Sequence, residues 1–508
     1  MGRGRRAAVA GALGVALTAG VLTVGVDQAL AQPSPGPGHS QSAGNDKANG
    51  NKSNGKSNGN GNGNGNGKSQ TPTPKNPPTG GRKALAAGGP VLAASSGGTD
   101  GLPTTNGLQR ELGATLQDKS LGTLNFAVAD GTTGELLYGS GENTPATPAS
   151  TTKLLTSLAA LALIPADTRI TTKVVKGSAP GEITLVGGGD PTVTGLPVDQ
   201  VLVGGMPVDA ETAPASLADL ARQTAAALKA AGTTSVKVSF DTSLYTGPLL
   251  HKEHDAMNIA AVTPLMVDEG RIDPKSPDEA PARVFDPAGS AAEAFAGLLR
   301  AQGITVLGKA TSGTAASGAQ VLGKVDSPTV PRLVERLLTT SDNTLAEAVA
   351  RQVAIAAHQP ASFDGAVEAM KQTLEKLGVP MAGVVLHDGS GLHKGNLISP
   401  IVLAKVLALA ASPQHPELRP LLTGLPIAGF TGTLVNRFGA NSGAQNAAGI
   451  VRAKTGTLAG INTLAGTVVD ADGRVLVFAL MTKTTAGPDA ARAAVDRIVA
   501  HIAGCGCR

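Results

Sequence analysis

The stretch that decides the fold runs from Ile450 to Met481: IVRAKTGTLAGINTLAGTVVDADGRVLVFALM. Ile450–Lys454 reads as a strand. Asn462–Val469 and Val475–Met481 are two more, and Asp470-Ala471-Asp472-Gly473 is the hairpin turn between them. Pro488–Ile502 then places Val495, Ile498, Val499 and Ile502 on one helical face. Far upstream the pattern recurs: Asn125–Asp130 is a strand, Gly131–Gly134 a turn and Glu135–Tyr138 a returning strand. A hairpin at each end and a closing helix predict an α+β fold. One antiparallel sheet is built from both chain ends and covered by the helices between them.

Several such helices are legible. Lys153–Leu163 is apolar almost all round and should be buried. Pro331–Leu338 and Thr344–Ala357 flank Ser341-Asp342-Asn343, and Pro400–Ala411 follows Ser399 as a candidate cap. Residues 166–320 mix short Val/Thr strands with Gly- and Pro-rich turns and a helix near Ser216–Ala231. They read as one or more inserted domains that divide a catalytic unit into residues 106–165 and 321–508.

Outside this unit the chain changes character. Arg3, Arg5 and Arg6 precede an uncharged apolar run, Ala7–Val26, and Ala29-Leu30-Ala31 offers a cleavage site. Residues 1–31 therefore read as an export signal, with an uncleaved anchor as the alternative. Residues 32–105 are dominated by Gly, Asn, Pro, Ser and Lys, too poor in apolar surface to fold, and read as a tether. The net charge of +4 belongs to these parts: residues 32–99 alone hold seven cations against one aspartate, so the rest is net acidic. That composition, with no Trp, excludes a nucleic-acid-binding domain. Cys505 and Cys507, both beside the C-terminus, read as an exposed tail with no catalytic role; one intervening residue would strain a mutual bridge.

Three short motifs occur in order: Ser150-Thr151-Thr152-Lys153, Ser341-Asp342-Asn343 and Lys454-Thr455-Gly456. A serine and a lysine three apart on a helix share one face, so the amine reaches the hydroxyl. A helix N-terminus favours negative charge developing on Ser150. A buried lysine among other cations loses proton affinity and can serve as base. Ser341 and Asn343 can relay a proton and hold a substrate backbone; the alternative reading is that Ser341 or Asp342 simply caps the Thr344 helix. Lys454 and Thr455 end a strand and can bind a carboxylate, and Gly456 lets a substrate lie close. Spacing alone is weak evidence, because Ser53 to Lys56 repeats the first motif inside the tether.

In this order the three motifs resemble the penicillin-recognising serine enzymes. The surrounding residues sharpen the likeness: Leu338–Glu347, Gly189-Asp190-Pro191-Thr192, Asp388-Gly389-Ser390-Gly391-Leu392, Gly432-Thr433-Leu434 with Arg437, and Lys454–Leu458. Together these resemble the class C low-molecular-weight penicillin-binding proteins, the D-alanyl-D-alanine carboxypeptidase/endopeptidases of the penicillin-binding protein 4 type (serine peptidase family S13), across about Gly107 to Ala503. The long gap from Lys153 to Ser341 matches that family's insertions and disfavours a class A β-lactamase. His393 and Lys394 depart from it, standing where a small hydroxyl residue and an arginine are usual.

The resemblance implies a β-lactamase/transpeptidase-like sheet and hydrolysis of peptidoglycan stem peptides through an acyl-enzyme on Ser150. β-Lactams would act as covalent inhibitors, with no cofactor. It makes Lys153 the general base, Ser341 the relay to the leaving amine and Asn343 the peptide holder. Lys454 and Thr455 would bind the terminal carboxylate, beside Gly456. The backbone N–H groups of Ser150 and Thr457 would form the oxyanion hole. With the export signal, the expected location is extracytoplasmic, at the cell wall or secreted, with association at the cell wall or membrane surface open. His251-Lys252-Glu253-His254 lacks the order of a zinc motif and reads as an exposed loop, so no metal is expected. No G-x-S-x-G elbow is present, against an α/β-hydrolase.

Overall fold

A computed structural model describes residues 101–508 apart from Pro277 and Glu279. The expected export signal and most of the tether lie outside the described residues. Thr104, inside the expected tether that ends at 105, already caps the first helix through Gly107 N, and its own N–H donates to Cys507 O at 2.7 Å.

Helices run α1 Thr105–Leu112, α2 Lys153–Leu163, α3 Leu217–Ala230, α4 Pro287–Ala301, α5 Val330–Thr340, α6 Asn343–Ala356, α7 Phe363–Lys376, α8 Pro400–Ala411, α9 Pro420–Thr423 and α10 Pro488–Ala503. Strands run β1 Thr123–Asp130, β2 Leu136–Ser140, β3 Arg169–Lys176, β4 Glu182–Val186, β5 Leu202–Val203, β6 Met206–Pro207, β7 Ser235–Asp241, β8 Thr305–Val306, β9 Thr311–Ser312, β10 Val321–Thr329, β11 Arg452–Leu458, β12 Ile461–Val469 and β13 Val475–Lys483. No helix among the described residues is long and apolar enough to cross a membrane.

The main sheet has five antiparallel strands in the order β11-β12-β13-β1-β2. Both chain ends build it: Val128 pairs with Phe478 across β1 and β13. Alternation along each strand sorts side chains to two cores. Ala127, Ala129, Val477, Ala479 and Met481 face the cluster formed by α2, α5, α6, α7 and α8. Phe126, Val128, Leu476, Phe478 and Leu480 face the opposite cluster under α1 and α10. Cys505 is buried in that second cluster and disulfide-bonded to Cys507. The C-terminus is therefore packed against α1 and is not the exposed tail expected.

Residues 166–320 form a second sheet with its own core around Leu217, Leu220, Phe295 and Leu299. It is mixed: β3 pairs antiparallel with β4 and β10, while β4 and β7 run parallel. Strand β10 lies in this sheet, so the return to the helical cluster falls at Val330 rather than at 321. The backbone hydrogen bonds of β10 go to β3, which keeps it with the insert. Ser399 makes no side-chain cap to α8. There Pro400 at the first turn already lacks one of the donors a cap would satisfy.

Candidate active site

The Ser150 motif straddles a junction. Ala149–Thr152 is a short 3₁₀ turn, and α2 begins at Lys153. Ser150 thus sits one turn ahead of the helix it was expected to open. Ala149 holds φ of 49°, a left-handed conformation that is uncommon outside glycine. The turn is locked in place: Thr151 and Thr152 hydroxyls donate to Pro148 O and Ala149 O, and Thr463 Oγ1 from β12 donates to Pro148 O at 2.8 Å.

Lys153 is completely buried. Its Nζ lies 2.9 Å from Ser150 Oγ, 2.7 Å from Asn343 Oδ1 and 2.6 Å from Ser390 O. Burial lowers its pKa to about 8, against the opposing pull of Asp388, Asp342 and Glu347. A neutral amine has two N–H donors and one lone pair. Asn343 Oδ1 and Ser390 O are both acceptors and occupy the two donors. The lone pair is then left for the Ser150 hydroxyl.

The second motif links α5 to α6. Ser341 adopts φ of 58°, and Asp342 caps α6 by accepting from Leu345 N at 2.8 Å. Capping falls to Asp342 alone, which leaves the Ser341 hydroxyl to meet Lys454 Nζ at 2.8 Å. Asn343 Nδ2 donates to Asn258 O at 2.8 Å, which turns Oδ1 toward Lys153.

The third motif does not end its strand. Lys454, Thr455, Gly456 and Thr457 all lie within β11, where Lys454 pairs with Ala465 and Gly456 with Thr463. The strand continues because β12 offers it a partner along its whole length. Lys454 is fully buried, its ammonium also donating to Thr455 O at 2.8 Å. Thr455 Oγ1 donates to Thr433 Oγ1 at 2.9 Å, which brings in the Gly432-Thr433-Leu434 turn. A Cβ on Gly456 would fall 2.2 Å from Thr463 Oγ1 and 3.0 Å from Ser150 N, so glycine lets β11 lie against the serine turn. Thr457 is the next residue of the same edge strand and is exposed.

Several groups at the site carried no spacing signal. Asp388 accepts from Gly391 N, Asn396 Nδ2 and His393 N, and Glu347 Oε1 accepts from Gly389 N and Ser390 N. Together they shape the loop that presents Ser390 O to Lys153. Burial would raise the Asp388 carboxyl, but its bond to His254 and the other donors hold it at about 2. Burial, with Asp388 nearby, pushes Glu347 up. His254 is not in an exposed loop: its side chain is buried and Nε2 lies 2.7 Å from Asp388 Oδ2. His254, Glu347 and Asp388 bring ligand atoms within 4.8 Å of one another. Asp388 is already committed to four hydrogen-bond partners, which suits a buried polar network better than a metal centre.

The fold and the three motifs together define the class, a β-lactamase/transpeptidase-like serine peptidase. The family model described as D-Ala-D-Ala carboxypeptidase 3 (S13) matches residues 108–282 and 275–503, and the chain belongs to that family. Carboxypeptidase DacB of Mycolicibacterium smegmatis is 37% identical over 415 residues, spanning 80% of this chain and 85% of the relative. A carboxypeptidase of Mycobacterium tuberculosis is 35% identical over 444 residues, spanning 85% and 90%. The crystal structure of penicillin binding protein 4 from Haemophilus influenzae shares the fold, with TM-score 0.61 at 20% identity over 78% of this chain and 98% of that one.

Proposed function

We propose that this chain hydrolyses D-Ala-D-X peptide bonds of peptidoglycan stem peptides through an acyl-enzyme on Ser150. The observation that carries the reading is the placement of Lys153 Nζ, buried and shared among Ser150 Oγ, Asn343 Oδ1 and Ser390 O. Neutral Lys153 takes the Ser150 proton as Oγ attacks the penultimate D-Ala carbonyl. The backbone N–H groups of Ser150 and Thr457 hold the oxyanion. Collapse breaks the peptide bond, and the leaving amine takes the Ser341 hydroxyl proton, which the Lys454 ammonium replaces. Lys454 and Thr455 receive the terminal carboxylate, with Gly456 allowing the peptide to lie along β11, and Asn343 holds the peptide from the other wall. Water then hydrolyses the ester, its proton restoring Lys454 through Ser341, and Lys153 returns its proton to Ser150 Oγ.

β-Lactams acylate the same serine and leave slowly. Peptidoglycan lies outside the cytoplasm, so the basic-apolar leader over residues 1–31 suits export, to the cell wall or membrane surface. The catalytic unit is residues 106–165 with 330–508, and the insert reaches its site through Asn258, Ala260, Arg271 and Arg283. Intact-mass spectrometry after benzylpenicillin is expected to find one adduct, mapped to Ser150. D-alanine release from a muropeptide should vanish in Ser150→Ala. Wild-type release no greater than the mutant's would make the protein a non-catalytic wall binder. Rapid turnover of a chromogenic β-lactam would make it a β-lactamase.

A further inference from the structure

The insert reaches the active site through a compact set of buried charges. Arg271 and Arg283 both direct Nη2 to Asp342 Oδ2, at 3.3 and 3.2 Å. Arg283 Nη1 donates to Glu269 O at 2.6 Å. The Glu269 carboxylate receives Arg271 at 2.8 Å and Arg336 of α5 at 2.6 Å. The cluster thus grips α5 through Arg336 and the α6 cap through Asp342, on either side of the left-handed Ser341. Asp268 and Glu269 are themselves left-handed, with φ of 51° and 56°, so backbone strain helps aim the cluster. Closer to the chemistry, Asn258 O fixes the Asn343 amide, and Ala260 N donates to Thr344 Oγ1 at 3.2 Å.

Stability alone is a poor account of this arrangement. Buried ion networks seldom stabilise more than apolar residues of similar size. Among the described residues, Arg271 Nε, Arg283 Nε and Arg336 Nη1 are also buried without a hydrogen-bond partner. What the network does determine is where Ser341 and Asn343 stand.

We propose that Arg271 and Arg283 of the insert are positioning residues that hold the Ser341-Asp342-Asn343 loop in the geometry acyl transfer requires. This rests on the acyl-enzyme reading given above. The two arginines touch no reacting atom; they act through Asp342 on the hydroxyl and amide that do.

The test is the second-order rate of Ser150 acylation by benzylpenicillin, with kcat and KM for D-alanine release and the thermal midpoint of each variant. Arg271→Met with Arg283→Met keeps the apolar stems and removes the charges. Acylation and kcat are expected to fall about 10- to 100-fold, the scale of a small misplacement of reacting groups, with KM within about threefold. In a background that carries both Ser341→Ala and Asn343→Ala the same pair should cost less than about threefold, because the two groups it positions are gone. The readily folded single variant Arg271→Met, whose side chain is 22% exposed, should show a smaller loss with the same coupling. Arg332→Met breaks the exposed pair to Glu211 and should leave acylation within about twofold. Three results would overturn the proposal: unchanged acylation in the arginine variants, an equal loss with and without the Ser341 and Asn343 side chains, or a comparable loss in Arg332→Met. Failure of the wild type to be acylated would instead remove the acyl-enzyme reading.

Discussion

At the residue scale the chemistry turns on one amine. Burial holds Lys153 at about 8, so at neutral pH a minority of molecules carry the free base. Acylation by benzylpenicillin should therefore rise with pH, inflect near 8 and level off above it. A profile flat from pH 6 to 9.5 would exclude Lys153 as the base. The stability linkage has a definite sign. The unfolded lysine keeps its proton up to about its ordinary value, whereas the folded one releases it near 8. Between these values the unfolded state binds more protons, so this group makes stability rise with pH across that window, and its destabilisation is complete below 8. Gly456 sets a second constraint. Gly456→Ala should push β11 from the serine turn, slow acylation at least about tenfold and cost about 1–3 kcal/mol in denaturant unfolding. The serine, both lysines and Asn343 were legible from motif order. In the sequence Glu347 stands only as part of the motif flank, and His254 reads as part of an exposed loop. Their roles depend on burial beside Asp388, which no local pattern encodes.

At the element scale, strand alternation and helix periodicity made the sheet and its covering helices readable before any coordinate. Boundaries failed where tertiary partners decide them. β11 outran its expected end because β12 pairs with it through Leu458, and β10 joined the insert because β3 accepts it. The turn ahead of α2 is set by contacts from elsewhere. Gly391, at φ of 83°, would place a Cβ 1.9 Å from Ala149 O. The Asp388–Leu392 loop and the serine turn are therefore interlocked, and moving one moves Ser390 O relative to Lys153. Gly391→Ala is expected to lower acylation more than about tenfold, from both the lost left-handed freedom and the clash. Measured by penicillin adduct formation at a temperature where the variant stays folded, a rate within twofold of wild type would show that the loop yields without consequence.

At the scale of the whole molecule, the catalytic sheet and the insert have separate cores, yet the site needs both. Phe126, Phe478 and Leu480 belong to one; Phe295, fully buried on α4, anchors the other with Leu220 and Leu299. The Arg271–Arg283 cluster lies between Leu265 and Ala288 of the second core, and Asn258 precedes Ile259, which packs with Tyr245, Val262 and Phe363, while Ser150, Lys153 and Lys454 come from the first unit. Selective weakening of the insert should therefore disarm the site before the sheet unfolds. Phe295→Ala should cost about 3–5 kcal/mol, a cavity's worth of lost packing. Since local stability need not be uniform, that loss falls first on the insert. On gentle warming, acylation of this variant should be lost while the amides of β1 and β13 keep their protection in hydrogen exchange. If exchange in β13 rises in step with the loss of acylation, the two cores unfold together and the insert has no independent hold on the site.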